Sequence, residues 1–106
     1  MHTTIVIVTF KSKIIHKCIK KLHKKFKIIV VENSNDTKFK KDIELKYKNT
    51  KCILSGSNIG YARANNIGLK KVKTKFALII NPDVMISSEQ IRAIESYAIK
   101  KKIFQF

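Results

Sequence analysis

Phe76-Ala77-Leu78-Ile79-Ile80-Asn81-Pro82-Asp83 is the stretch on which the fold turns. Five apolar residues run without a charge and stop at Asn-Pro, a pair that continues neither helix nor strand. A run this short and this apolar predicts a strand of a parallel sheet. Asp83 then stands just past the strand's carboxyl end.

The same signature occurs upstream. Ile5-Val6-Ile7-Val8-Thr9-Phe10 and Phe26-Lys27-Ile28-Ile29-Val30-Val31 are β-branched apolar runs, and Lys51-Cys52-Ile53-Leu54 is a shorter one. The segments between them carry a helical period. Ile14, Ile15, Cys18, Ile19 and Leu22 share one face of a helix that Ser12 could cap and that runs to about Lys25. Phe39, Ile43 and Tyr47 recur every four residues over about Thr37–Lys48. Ala62, Ala64, Ile67, Gly68, Leu69 and Val72 mark a third helix, about Tyr61–Lys71, small enough on one side to pack closely. Ser87-x-x-Gln90 has capping-box spacing and opens a last helix with Ile91, Ile94, Ala98 and Ile99 on one face. Lys100, Lys101 and Lys102 suit its negative end. The alternation of four strands with four helices predicts an α/β domain: a parallel sheet, right-handed crossovers and helices on both faces.

The 106 residues fit one domain with its own core. Net charge is +16, and lysine supplies 21 of the 23 basic residues. Such a charge invites a nucleic-acid or anionic-membrane partner. Against it, the lysines are scattered, isoleucine and asparagine are over-used with them, and arginine, the better fork for phosphate and bases, occurs only at Arg63 and Arg92. Cys18 and Cys52 lack redox or zinc spacing and read as buried reduced thiols, which suits a cytoplasmic protein. The short run Ile5–Val8 is not a signal core, and no run approaches membrane-spanning length.

Ligands of parallel sheets sit at the carboxyl ends of the strands. Four loops meet there: Thr9–Ser12, Glu32–Asp36, Ser55–Tyr61 and Asn81–Met85. Of the 7 acids in the chain, Glu32 and Asp83 stand directly after strands. A strand-end acid is as often a cap or turn residue as a ligand. There is no Gly-x-Gly-x-x-Gly and no P-loop; Gly56 and Gly60 are not followed by Gly-Lys-Ser/Thr. His2, His16 and His23 do not cluster with cysteines, and His16 and His23 read as surface residues among lysines.

Three segments together resemble family 2 glycosyltransferases, the inverting GT-A-fold enzymes. Val30-Val31-Glu32-Asn33-Ser34 is similar to their second-strand turn. Asn58-Ile59-Gly60-Tyr61-Ala62-Arg63-Ala64-Asn65-Asn66-Ile67-Gly68 is similar to the segment before their fourth strand. Ile79-Ile80-Asn81-Pro82-Asp83-Val84 resembles their metal-binding turn, in the Asn-Pro-Asp form of rhamnosyltransferase-like members. The resemblance implies a GT-A, Rossmann-like three-layer α/β/α fold with a mostly parallel sheet of strand order 3-2-1-4, covering the donor-binding half only.

The resemblance also implies roles. Asp83 would hold a divalent cation, Mg²⁺ or Mn²⁺, against the diphosphate of a nucleotide-sugar donor. Thr9 and Phe10 would border the base, and Glu32 and Asn33 the base or ribose. Gly60, Arg63 and Asn81 would lie along the donor, although Arg63 serves equally well in helix packing. The implied acceptor is a glycan or a lipid-linked sugar, with peripheral membrane association through the basic surface. In the family the acid that activates the acceptor lies well after the metal turn. Only Glu89 and Glu95 follow Asp83 here, so the expected chain is truncated, lacks its catalytic base and needs a complementing chain or oligomer. The alternatives are a basic nucleic-acid-binding module, or an inert fragment whose sheet edge seeks a partner.

Overall fold

The computed structural model describes residues 2–101; Lys102, expected to end the last helix, lies outside them. The elements alternate as β1 (Thr3–Thr9), α1 (Ile15–Leu22), β2 (Lys27–Glu32), α2 (Thr37–Lys46), β3 (Thr50–Leu54), α3 (Tyr61–Leu69), β4 (Phe76–Ile80) and α4 (Ser88–Lys101). The four strands form one sheet in the order β3-β2-β1-β4, every neighbouring pair parallel. The expected architecture and strand order are therefore what the chain adopts.

Every residue of β1 is buried, as its unbroken apolar run requires. Ile5, Ile7, Ile28 and Val30 face Ile15, Cys18, Ile19 and Leu22 of α1, Ile43 of α2 and Ile91 of α4. Val8, Ile29 and Val31 face Ala64 of α3 on the opposite side. Each fully buried aliphatic side chain contributes about 1.5–3 kcal/mol, so this two-sided core holds the sheet without staples. Gly68 lets α3 approach closely: a Cβ there would stand 2.7 Å from Val6 Cγ1.

Three expectations need correction. Ser12 does not cap α1; the helix begins after Ile14 with no side-chain cap and ends at Leu22, short of Lys25. The loop bonds of Lys11 described below hold the chain entering α1 instead. His23 is buried rather than on the surface, with its ring 5.2 Å from that of Tyr47; His16 donates to or accepts from Tyr47 Oη at 2.8 Å. On α4 only Ile91 is buried, while Ile94 and Ile99 stay exposed, with no element among the described residues packed over them. The Ser87/Gln90 capping box forms as expected, with reciprocal bonds of 2.9 and 3.1 Å. Both cysteines are free and buried, and burial pushes the Cys52 thiol up to about 12. No helix among the described residues is long and apolar enough to cross a membrane.

Candidate functional site

The chain crosses from one face of the sheet to the other between β3 and β4, so the sheet's switch point lies between the carboxyl ends of β1 and β4. In open α/β sheets that crevice is where ligands bind. A cleft of about 270 Å³ opens there, lined by Thr9, Phe10, Ser12, Asn33, Tyr61 and Pro82 among others. Its rim is aromatic: Phe10 and Tyr61 are each 52% exposed. Large side chains held half in water at a strand end are ready to stack on a flat ring. Thr9 is buried at the cleft floor, and its Oγ1 has no partner among the described residues.

The loop after β1 is held in a strained form. Lys11 has φ 52°, a left-handed conformation that costs a non-glycine residue about 1–2 kcal/mol. Glu32 offsets that cost. Its carboxylate, wholly buried, accepts the Lys11 N–H at 2.9 and 3.2 Å through its two oxygens and the Ser34 hydroxyl at 2.9 Å. Charge-assisted bonds to a backbone amide are among the stronger hydrogen bonds. Glu32 thus fixes the loop that carries Phe10 and shows no surface to the cleft in this arrangement.

Asn33 plays the same part for the next loop. Its Nδ2 donates to Asn58 Oδ1 at 3.1 Å and to the Gly60 carbonyl at 3.3 Å. Its Oδ1 accepts from Ser55 Oγ at 2.8 Å and Ile59 N–H at 3.1 Å. All of its amide's bonding capacity along these directions goes into the Ser55–Gly60 loop. Gly60, with φ 89°, has a conformation L side chains rarely adopt, and starts α3 at that angle. This places Tyr61 over the cleft.

At the end of β4, Asn81 Oδ1 accepts from Tyr61 Oη at 3.1 Å. Asp83 is exposed and makes no hydrogen bond or ion pair among the described residues. Arg63 points to solvent on α3 and does not line the cleft. The structure thus brings Thr9, Phe10, Asn33 and the Asn81–Asp83 turn together, uses Glu32 and Asn33 as loop anchors, and leaves Arg63 apart. Tyr61 and Ser12 line the cleft; the sequence places both in loops at the strands' carboxyl ends but singles out neither as a ligand. Tyr61 was read as a helix start; its position directly after a glycine that breaks the loop was the available signal.

No group of three or more His, Cys, Asp or Glu side chains forms among the described residues. Asp83 is nonetheless a free hard carboxylate at the strand end. One such ligand completed by phosphate oxygens and water fits Mg²⁺ or Mn²⁺. Glu89 and Glu95 both lie on α4. Glu95 accepts from Thr3 Oγ1 at 2.5 Å, at the opposite end of β1 from the cleft.

A larger hollow of about 710 Å³ lies between the N-terminal ends of α1 and α2, lined by Lys11, Lys13, Lys38 and Lys41 together with the acids Asp36 and Asp42. It contains neither Asn81 nor Asp83.

The family model described as glycosyl transferase family 2 matches residues 4–103. The chain is 29% identical to the low-salt glycan biosynthesis hexosyltransferase Agl10 of Haloferax volcanii, over 86% of this chain and 31% of that protein. The crystal structure of S. aureus TarS residues 1–349 has the same fold, with a TM-score of 0.73 at 19% identity over 94% of this chain and 33% of that one. The same fragment in complex with UDP superposes with a TM-score of 0.68 at 18% identity, over 94% of this chain and 32% of that one. The chain spans about a third of the length of the relatives it matches.

Proposed function

The chain belongs to glycosyl transferase family 2, and from that premise we propose that it is the donor-binding part of an enzyme that moves a sugar from a nucleoside diphosphate to a glycan or lipid-linked acceptor. The observation that carries this reading is the cleft at the β1/β4 switch point, with Phe10 and Tyr61 on its rim and the Asn81-Pro82-Asp83 turn beside it. Phe10 and Tyr61 border the base, and the main chain at Thr9 lies beside it along the cleft. Glu32 and Asn33 act on the nucleotide through the two loops they hold. Asn81, its carbonyl taken by Tyr61, presents its amide N–H₂ to ligand oxygens.

Asp83 would hold the divalent cation, which when bound neutralises charge on the departing diphosphate. The base that activates the acceptor comes from outside residues 2–101, since Glu89 and Glu95 are both on α4 and Glu95 sits at the far end of the sheet. Binding of UDP by the full chain, followed calorimetrically with and without Mn²⁺, tests the reading. Metal-dependent binding that Asp83→Ala removes is expected; binding indifferent to both metal and Asp83 would refute it.

The lysine-rimmed hollow between α1 and α2 favours a second reading, a polyanion-binding face. Neither salt bridge among the described residues, Lys40–Glu44 and Lys46–Asp42, uses one of its four lysines, which outnumber its two acids, Asp36 and Asp42. That reading predicts binding to any nucleic acid or anionic vesicle that falls steeply with salt. An anionic membrane would also bring the protein to lipid-linked acceptors on a cytoplasmic face.

A further inference from the structure

The hollow between α1 and α2 combines positive charge with exposed apolar surface. Its lining comes entirely from the span Lys11–Leu45, on the β1–α1 and β2–α2 units, away from the β4 border of the sheet. Lys38, Lys41 and Leu45 fall at i, i+3 and i+7 on α2 and so share one face. Lys11 and Lys13 line the other side, from the chain entering α1. The two acids of the lining are already engaged: Asp36 Oδ1 accepts the Phe39 N–H at 3.0 Å, and Asp42 Oδ2 pairs with Lys46 at 3.3 Å. The four lysines are exposed and make no salt bridge among the described residues. Leu45 stands with them, 81% exposed, the barest large apolar side chain of the described residues. The lining holds no arginine, and its phenylalanine, Phe39, is partly buried against the core.

Building on the polyanion reading of this hollow, we propose that its partner is the surface of an anionic bilayer, with Leu45 entering the headgroup layer and the lysines around it meeting lipid phosphates. Lysine suits such a surface: the ammonium is a point charge that meets a headgroup while its apolar stem lies along the interface. Each lysine held near an anionic surface strengthens binding by about fivefold, and a net charge of +16 draws the chain toward it. A nucleic acid offers nothing to Leu45. Its phosphates and bases are held best by arginine forks and exposed stacking rings, which the hollow lacks. Ser12 lines both this hollow and the cleft at the β1/β4 switch point. Docking through the hollow therefore brings the mouth of the cleft to the membrane surface, beside an acceptor presented at headgroup level.

Co-sedimentation of the full chain with vesicles of phosphatidylcholine, alone or mixed with phosphatidylglycerol, tests this, with duplex DNA and heparin as free polyanions. The wild type is expected on the mixed vesicles and not on phosphatidylcholine alone, with binding that falls as salt rises. Lys38→Glu/Lys41→Glu should weaken vesicle binding by at least about tenfold. The charge-matched pair Lys71→Glu/Lys73→Glu, both exposed in the segment between α3 and β4, should weaken it by no more than about twofold. Leu45→Asn keeps the charge and should weaken vesicle binding by about three- to tenfold while leaving any DNA or heparin binding unchanged. All of these side chains are exposed, and circular dichroism confirms that each variant is folded. Equal losses in the two lysine pairs, or vesicle binding indifferent to Leu45→Asn, would overturn the proposal. DNA or heparin bound through Lys38 and Lys41 without any binding to mixed vesicles would also overturn it, yet leave the polyanion face standing. Binding to neither vesicles nor free polyanions would remove both.

Discussion

Tyr61 donates its hydroxyl to Asn81 Oδ1 at 3.1 Å, so the first residue of α3 is tied to the residue that follows β4. The bond crosses the mouth of the cleft. It joins the helix start set by Gly60 to the turn that carries Asp83, and it leaves the Asn81 N–H₂ without a partner among the described residues. Replacing the hydroxyl frees Asn81 to rotate. Tyr61→Phe should therefore leave the unfolding midpoint unchanged, because both residues are exposed, and weaken Mn²⁺-dependent UDP binding by about two- to tenfold, the range of one net hydrogen bond. Calorimetric titration beside urea unfolding separates the two effects.

Asn33 is a larger structural investment. It makes four side-chain bonds to the Ser55–Gly60 loop while almost wholly buried. Asn33→Ala leaves Ile59 N–H without its partner and is expected to cost about 2–3 kcal/mol. Equilibrium urea unfolding reads the loss directly. Hydrogen exchange should place the first loss of protection in the Ser55–Gly60 loop.

Gly68 is expected to reject even a methyl group. Alanine is the better helix former by about 1 kcal/mol, but its Cβ would meet Val6 Cγ1 at 2.7 Å and Val31 Cγ2 at 3.1 Å. Overpacking of this kind costs about 1–3 kcal/mol. With both contacts on the central strands, which cannot move aside freely, Gly68→Ala should lose about 1–2 kcal/mol net in a denaturant titration.

Acid sensitivity should trace in part to Glu44. Burial alone would raise its carboxyl, but the Cys52 N–H, the Lys40 bond and the charges of Lys40 and Lys51 outweigh that and hold it below the usual carboxylate range. A depressed folded-state value means the contribution is present above the unfolded-state value and lost as pH falls through the folded-state value. Glu44→Gln should therefore be less stable than wild type at neutral pH, with the gap closing on acidification. Urea midpoints measured across that pH range check the sign.

Much of this was legible in the chain because its strands announce themselves. Ile5–Val8 and Ile28–Val31 are apolar without interruption and are buried on both faces, Phe76–Ile80 is a strand of the same kind left half-exposed in its middle, and the four-residue beat of Phe39 and Ile43, ending at the C-cap Tyr47, marks α2. Helix ends were less legible: Ser12 has the chemistry of a cap but stands two residues before Ile14, where α1 is entered. The site divides in the same way. Asp83 and Phe10 follow from strand position. That Glu32 turns inward to its own loop is a tertiary fact with no local signature, as is the reach of Tyr61 to Asn81. His23 misleads for a related reason, since its lysine neighbours suggest water while the ring packs on Tyr47, just past the end of α2.

The donor-site account rests on Asp83, and UDP titrated into wild type and Asp83→Ala in the presence of Mn²⁺ tests it most directly. Asp83 is exposed and bonded to nothing among the described residues, so the substitution should leave folding intact. The account predicts that Mn²⁺ strengthens UDP binding to wild type by at least about tenfold, about 1.4 kcal/mol, and that Asp83→Ala abolishes that gain. Equal, metal-independent affinities for the two proteins would contradict it.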